Sequence, residues 1–217
     1  MIIDYKQIYN IDTSFFNKYF GSHAVTFCQP RGEHYKLLSY ISQQYNGITI
    51  LDVGTLRGAS CLALAQNKNN KVITYDINNT ETTPNKWDPH VATLPFLDDY
   101  PNVTRKIMDI NVESADIINS AEIILLDIIH DGVTEKKFSD MLDKIGYKGY
   151  VFCDDVFSHM HPACTQWFEN IKIEKYNLTE VGHHHGTGLL NYYNDNSVHI
   201  KKYSPNYMPP YLNSLSL

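Results

Sequence analysis

No apolar run in this 217-residue chain approaches 18 residues, so it offers no candidate transmembrane helix. It also lacks a basic block. No cluster of Lys and Arg exceeds a few positions, and the formal net charge is −6. Phosphate backbones need concentrated cations, which excludes nucleic acid as the main partner and leaves the acidic balance to serve solubility. Only four cysteines occur, Cys28, Cys61, Cys153 and Cys164, and none forms a C-x-x-C pair. Two sit in apolar strings, so they read as reduced, buried thiols of a cytoplasmic-type compartment rather than a disulfide framework. The first residues, with Asp4 and Asp12, show no charged-then-apolar leader. Internal repeats and low-complexity linkers are absent, and the expectation is one domain over 1–217. Residues 1–30 are read as an irregular, aromatic-rich cap or lid, and 203–217 as an irregular tail rich in Pro and Tyr.

What is present is an alternation. Apolar runs at 48–53, 71–76, 103–108, 122–126 and 150–153 read as strands. Helical patterns lie between and around them at 32–45, 59–66, near 112–118, at 134–145 and near 160–170, and two final strands are expected at about 172–178 and 187–193. Strand–helix alternation predicts an α/β fold: a single doubly wound, mostly parallel sheet, Rossmann-like, with an antiparallel last strand. Ligands in such sheets bind beyond the carboxyl ends of the strands, where strand order reverses. Gly54, Asp76, Asp109, Asp127, Asp154 and Asp155 all fall there.

The run Leu51-Asp-Val-Gly-Thr-Leu-Arg-Gly-Ala-Ser60 has glycines at 54 and 58 only. A dinucleotide fingerprint requires three around a pyrophosphate. The shorter pattern, with Asp76 ending the next strand, suits a nucleoside without a pyrophosphate, of which S-adenosylmethionine is the commonest. A dehydrogenase ranks last.

On these residues the chain resembles the class I S-adenosylmethionine-dependent methyltransferases over roughly 26–193, and within them the metal-dependent catechol O-methyltransferase-like group and its sugar-modifying relatives. The resemblance implies that Gly54 and Thr55 lie against the cofactor's methionine part, with Ser60 donating to its carboxylate. It implies Asp76 at the ribose, Asp109 beside the adenine, Asp127 at the cofactor's rim, and Phe27 to Gln29 as a covering segment. The usual adenine contacts would fall on Asn78-Asn79-Thr80. The group holds a divalent ion with an Asp and a following acidic pair at about the separation of Asp127 from Asp154 and Asp155. All-oxygen ligands select Mg²⁺, or Mn²⁺ or Ca²⁺, which would orient the acceptor's oxygens and acidify the attacking hydroxyl. His130 stands where the catechol enzyme has a lysine base, and a neutral imidazole suits that role near pH 7.

The spacings of His159, His161 and Cys164, and of His183 to His185, match no standard zinc finger. The His triplet reads as a polar turn before the last strand, or as part of an acceptor pocket. Lid segments at 1–30, 78–101 with Trp87, and 156–168 with Trp167 are polar and aromatic, which suits a small hydroxylated acceptor such as a sugar or glycosylated metabolite over a greasy one. No membrane partner is expected, and a homo-oligomer is compatible with the sequence. Two rival readings are a metal-free methyltransferase, in which Asp154 and Asp155 only cap and orient, and a nucleoside-binding module without chemistry.

Overall fold

Runs that are apolar on both sides of the strand need cover on both faces of the sheet, and that requirement organises the computed structural model, which describes residues 1–20, 34–77, 94 and 96–202. Chain order begins with β1 (Ile2–Asp4), α1 (Tyr5–Tyr9), α2 (Phe15–Phe20) and α3 (His34–Gln43). Then come β2 (Thr49–Val53), α4 (Ala59–Leu64), β3 (Lys71–Asp76), β4 (Val103–Ile107), α5 (Ala115–Asn119), β5 (Ala121–Leu126), α6 (Val133–Ile145) and β6 (Tyr150–Cys153). The chain continues through α7 (Pro162–Asn170), β7 (Glu174–Asn177), β8 (Gly188–Asn191) and β9 (His199–Lys201).

The main sheet runs β4-β3-β2-β5-β6-β8-β7. Pairings from β4 through β6 are parallel, and β8 is antiparallel to both its neighbours. The expected doubly wound sheet is therefore present, with the antiparallel strand inserted between β6 and β7. Side chains alternate along each strand. Ile50, Val72, Ile123 and Phe152 pack with Leu37, Leu38 and Ile41 of α3 and with Leu62 of α4. Leu51, Ile73, Ile124 and Val151 pack on the opposite face with Phe138 and Leu142 of α6 and Phe168 of α7. Cys61, Cys153 and Cys164 are free and buried. Among the described residues no helix is long and apolar enough to cross a membrane.

Three expectations are corrected. Residues 1–20 are not irregular: β1 pairs in parallel with β9, Asp4 caps α1 by accepting from the Gln7 N–H at 3.1 Å, and Tyr5, Ile8 and Phe16 enter the core. The helix near 112–118 splits into a 3₁₀ turn at 110–112 capped by Asp109 and a short α5 capped by Ser114, because each cap restarts the backbone. Trp167 does not cover the cleft at the strand ends; it lies on α7, mostly buried, lines a separate cleft beside α6, and its Nε1 donates to Ser139 Oγ at 3.2 Å. Phe27, Cys28, Trp87, most of the 78–101 stretch and the 203–217 tail lie outside the described residues.

Candidate active site

The chain winds outward from β2 through β3 to β4, then returns to place β5 on the other side of β2. At that reversal the ladder continues past the strand ends. Gly54 N–H donates to Tyr75 O at 2.9 Å, Met108 N–H to Asp76 O at 2.9 Å, Asp127 N–H to Val53 O at 2.9 Å, and Asp154 N–H to Leu126 O at 3.0 Å. The residues that follow each strand are thus fixed by the sheet itself.

A cavity of about 350 Å³ opens there, lined by Gly54, Asp76, Asp109, Asp127 and His130 together with Leu56, Ile77, Met108, Ile110 and Ile129. Polar groups sit at the strand ends, and apolar side chains form the walls. Gly54 has φ +105°, and a Cβ on it would meet the Asp127 carbonyl oxygen at 1.6 Å. Glycine is required here by the close approach of β2 and β5, which closes the cavity floor. Asp76 Oδ2 accepts the Leu56 N–H at 2.8 Å, and Asp109 Oδ1 accepts from Asn111 N–H at 2.9 Å and from Asn111 Nδ2 at 2.8 Å.

Thr55 and Ser60 do not line the cavity. The Thr55 hydroxyl bonds to the Thr74 hydroxyl, which donates to Asp52 Oδ2 at 2.6 Å. Ser60 is buried and also turns its hydroxyl to Asp52. The tight turn directs both side chains into the layer behind the pocket, where they serve a buried carboxylate. Burial pushes the Asp52 carboxyl up to about 6, with the Thr74 and Ser60 hydroxyls opposing that rise.

His130 closes the far end of the cavity. Its backbone is left-handed, φ +61°, and its Nε2 lies 3.3 Å from Asp127 Oδ1 and 3.9 Å from Asp155 Oδ2. Glu135, buried in the first turn of α6, holds the loop by accepting from His130 N–H at 2.8 Å and Gly132 N–H at 2.7 Å. Burial favours the neutral ring, but the hydrogen bond to Asp127, the Cys164 contact and the charges of Asp127 and Asp155 override it and raise His130 to about 10. The expectation of a neutral imidazole near pH 7 is therefore revised: the Asp127–His130 pair holds a proton between them.

Beyond His130 the acidic pair meets further imidazoles. The segment after Asp155 is clamped to the turn before β8 by Val156 N–H to Gly186 O and Phe157 N–H to His185 O, both 3.1 Å. This puts His183 Nδ1 2.8 Å from Asp155 Oδ1 and 3.4 Å from Asp154 Oδ1. His34 Nδ1 lies 3.7 Å from Asp154 Oδ1, and His161 Nε2 lies 3.6 Å from Asp155 Oδ2. Burial opposes the Asp154 charge, yet the facing His34 and His183 hold its carboxyl down to about 2; His183, despite its own burial, is raised to about 10 by Asp154 and Asp155.

The expected metal triad is brought together only in part. Among the described residues, the two groups whose ligand atoms all lie within 4.8 Å of one another are Asp154, Asp155 and His183, and His130, Glu135 and Cys164. Asp127 belongs to neither, because His130 stands between it and Asp155. Among the described residues, Asp127, Asp154 and Asp155 are not one of the groups with all ligand atoms that close. Asn111, Glu135 and His34 are site residues that spacing did not single out, and His183, expected in a polar turn or an acceptor pocket, meets the acidic pair.

No protein-family profile matches the chain, and no curated protein matches its sequence significantly. Solved structures do resemble it. The S-adenosylhomocysteine-bound methyltransferase PaMTH1 of Podospora anserina is 14% identical, with 86% of each chain covered and a TM-score of 0.55. Cofactor-bound Rv0187 from MTB is 12% identical over 73% of this chain and 79% of that one, TM-score 0.53. A candidate caffeoyl-CoA O-methyltransferase from Staphylococcus aureus is 16% identical over 72% and 82%, TM-score 0.52. At these identities the likeness establishes the fold: the Rossmann-like, mostly parallel sheet that these methyltransferases share.

Proposed function

We propose that this chain is an S-adenosylmethionine-dependent O-methyltransferase that acts on a hydroxyl of a small molecule, with a sugar or glycosylated metabolite favoured over a catechol. The observation that carries the reading is the single cavity that runs from Asp76 and Asp109 at the strand ends to the Asp127–His130 pair. One end suits a ribose and a purine, with carboxylates for hydroxyls and Leu56, Ile77, Met108 and Ile129 for the ring faces. The other end presents a proton-handling group.

In this reading the cofactor supplies an electrophilic methyl group next to His130. Asp76 accepts from the ribose hydroxyls, and Gly54 lets the floor come close. In the fraction that has lost its shared proton, the Asp127–His130 pair would take the acceptor's proton as the oxygen–carbon bond forms and the carbon–sulfur bond breaks. Most of the rate comes from holding oxygen, carbon and sulfur in line. A cation on Asp154 and Asp155 would neutralise one of the charges that hold the proton on His130, and would orient the acceptor's oxygens. Because Asp127 pairs with His130, the metal-free form of the enzyme is the second reading. The imidazole-rich rim at His161 and His183 offers donors and acceptors to a polyhydroxylated substrate.

Incubation with methyl-labelled S-adenosylmethionine and a panel of sugars, sugar nucleotides and catechols tests the proposal. Label transferred to a hydroxyl is the expected result. Tight cofactor binding with no transfer to any acceptor would favour the nucleoside-binding module.

A further inference from the structure

Of the eight described histidines, seven gather around the Asp154–Asp155 rim, and only His199 lies elsewhere. Four put a ring nitrogen within 4 Å of an oxygen of the pair. We propose that Asp154, Asp155 and His183 form a binding site for a first-row transition-metal ion of the Zn²⁺, Mn²⁺ or Fe²⁺ kind, rather than a Mg²⁺ site shared with Asp127. The use of that ion in methyl transfer rests on the function proposed above; its binding does not.

The separations carry the argument. Donors about 2.1 Å from one ion stand about 3.0 Å apart at octahedral corners and about 3.4 Å apart at tetrahedral ones. His183 Nδ1 lies 2.8 Å from Asp155 Oδ1 and 3.4 Å from Asp154 Oδ1. Asp154 Oδ1 gives the independent sign. It is buried without a hydrogen-bond partner, in a residue only 8% exposed, and it faces the two Nδ1 atoms of His34 and His183. The His183 and His34 nitrogens, at 3.4 and 3.7 Å, face this oxygen without making a well-formed hydrogen bond to it, and a cation at the convergence of the side chains would complete its partners.

Donor chemistry selects the ion. Mg²⁺ prefers oxygen and water at rigid octahedral corners, whereas imidazole with carboxylate suits the later divalent metals. Three protein ligands leave coordination positions open, as catalytic sites do. Thr187 Oγ1 fixes the backbone there by accepting the main-chain N–H of His183 at 2.7 Å, and lies 3.4 Å from His34 Nδ1.

The test is a titration of the whole, chelator-stripped chain with Co²⁺, read by its visible d–d absorption, with competition by Zn²⁺ and by Mg²⁺. One Co²⁺ per chain is expected, displaced by equimolar Zn²⁺ and retained in millimolar Mg²⁺. His183→Ala should weaken binding by about 100-fold or more, and Asp127→Asn by no more than about threefold. Should His183→Ala fail to fold by thermal melting, Asp155→Asn reads the same loss. The double variant His184→Ala/His185→Ala should bind Co²⁺ unchanged. The proposal is overturned by no Co²⁺ uptake, by Mg²⁺ competing on equal terms, by Asp127→Asn matching His183→Ala, or by loss in the double variant, which would mean simple surface chelation. S-adenosylmethionine calorimetry on the same samples succeeds or fails independently, so failure of the metal site and failure of the methyltransferase reading are distinguishable.

Discussion

Asp76 at the end of β3 accepts the backbone N–H of Leu56 through Oδ2 at 2.8 Å, so the acid after the second sheet strand also holds the turn after the first. Leu56 is left-handed, φ +40°, and half-exposed over the cavity. One carboxylate thus shapes two walls of the same site. Asp76→Ala should cost S-adenosylmethionine about 2–3 kcal/mol of binding, the scale of hydrogen bonds to a charged group, from a wild-type affinity in the micromolar range of about 7–8 kcal/mol. Calorimetry reads it. Binding of NAD in place of S-adenosylmethionine would remove the assignment.

His130→Ala should leave cofactor binding intact and slow methyl transfer by about 10²–10⁴-fold, as expected for a lost general base. Glu135→Ala should act through the same loop, since it frees the N–H groups of both His130 and Gly132, and it should also lower thermal stability. Single-turnover rates beside cofactor titrations separate the two effects. Unchanged turnover in His130→Ala would return that residue to a structural role.

Asp52 makes stability depend on pH in an unusual direction. Its folded-state pKa is raised from 3.8 to about 6, so between these values the folded chain keeps a proton that the unfolded chain has released. Stability contributed by this group is present below pH 3.8 and is lost as pH rises towards 6. Asp52→Asn keeps an acceptor for Thr74 and removes the charge. The variant should therefore gain about 2–3 kcal/mol relative to wild type between pH 3.5 and pH 7.5. Denaturant melts at the two pH values check this, and a pH-independent difference would contradict it.

Sugars or sugar nucleotides should outcompete catechols as acceptors, because the rim beyond His130 carries imidazoles from His161 and His183 rather than an apolar slot. A mass-spectrometric screen decides the order. Turnover of catechol with none on any sugar reverses it.

The strand-end acids were legible because an apolar run that stops at an aspartate marks both the end of a strand and the place a ligand meets it. Asp76, Asp109 and Asp127 come together on that logic alone. The orientation of Thr55 and Ser60 was not, because it depends on backbone angles at Gly54 and Leu56 that spacing does not encode. Asp127 looked like a third carboxylate ligand until the left-handed His130 turned its ring back over it. His183 lies 28 positions after Asp155 and reaches it only because β8 runs antiparallel beside β6. The N-terminal helices have too few residues for a helical period; Asp4 caps the first, and Tyr5, Ile8 and Phe16 bury against the core, contacts that local spacing does not show.

The inserted strand β8 also sets an order of assembly on the ribosome. Among the described residues β7 pairs only with β8, and β8 alone joins it to β6, so Glu174–Asn177 leaves the exit tunnel before its partner exists. Until residues 188–191 follow, β6 keeps a bare edge and His183 has no fixed place beside Asp155. The half of the pocket built by β2 to β5 can mature first. A stalled nascent chain ending before 188 would then carry a formed strand-end cleft next to an unfinished rim, with two strands open to pairing with a neighbouring chain.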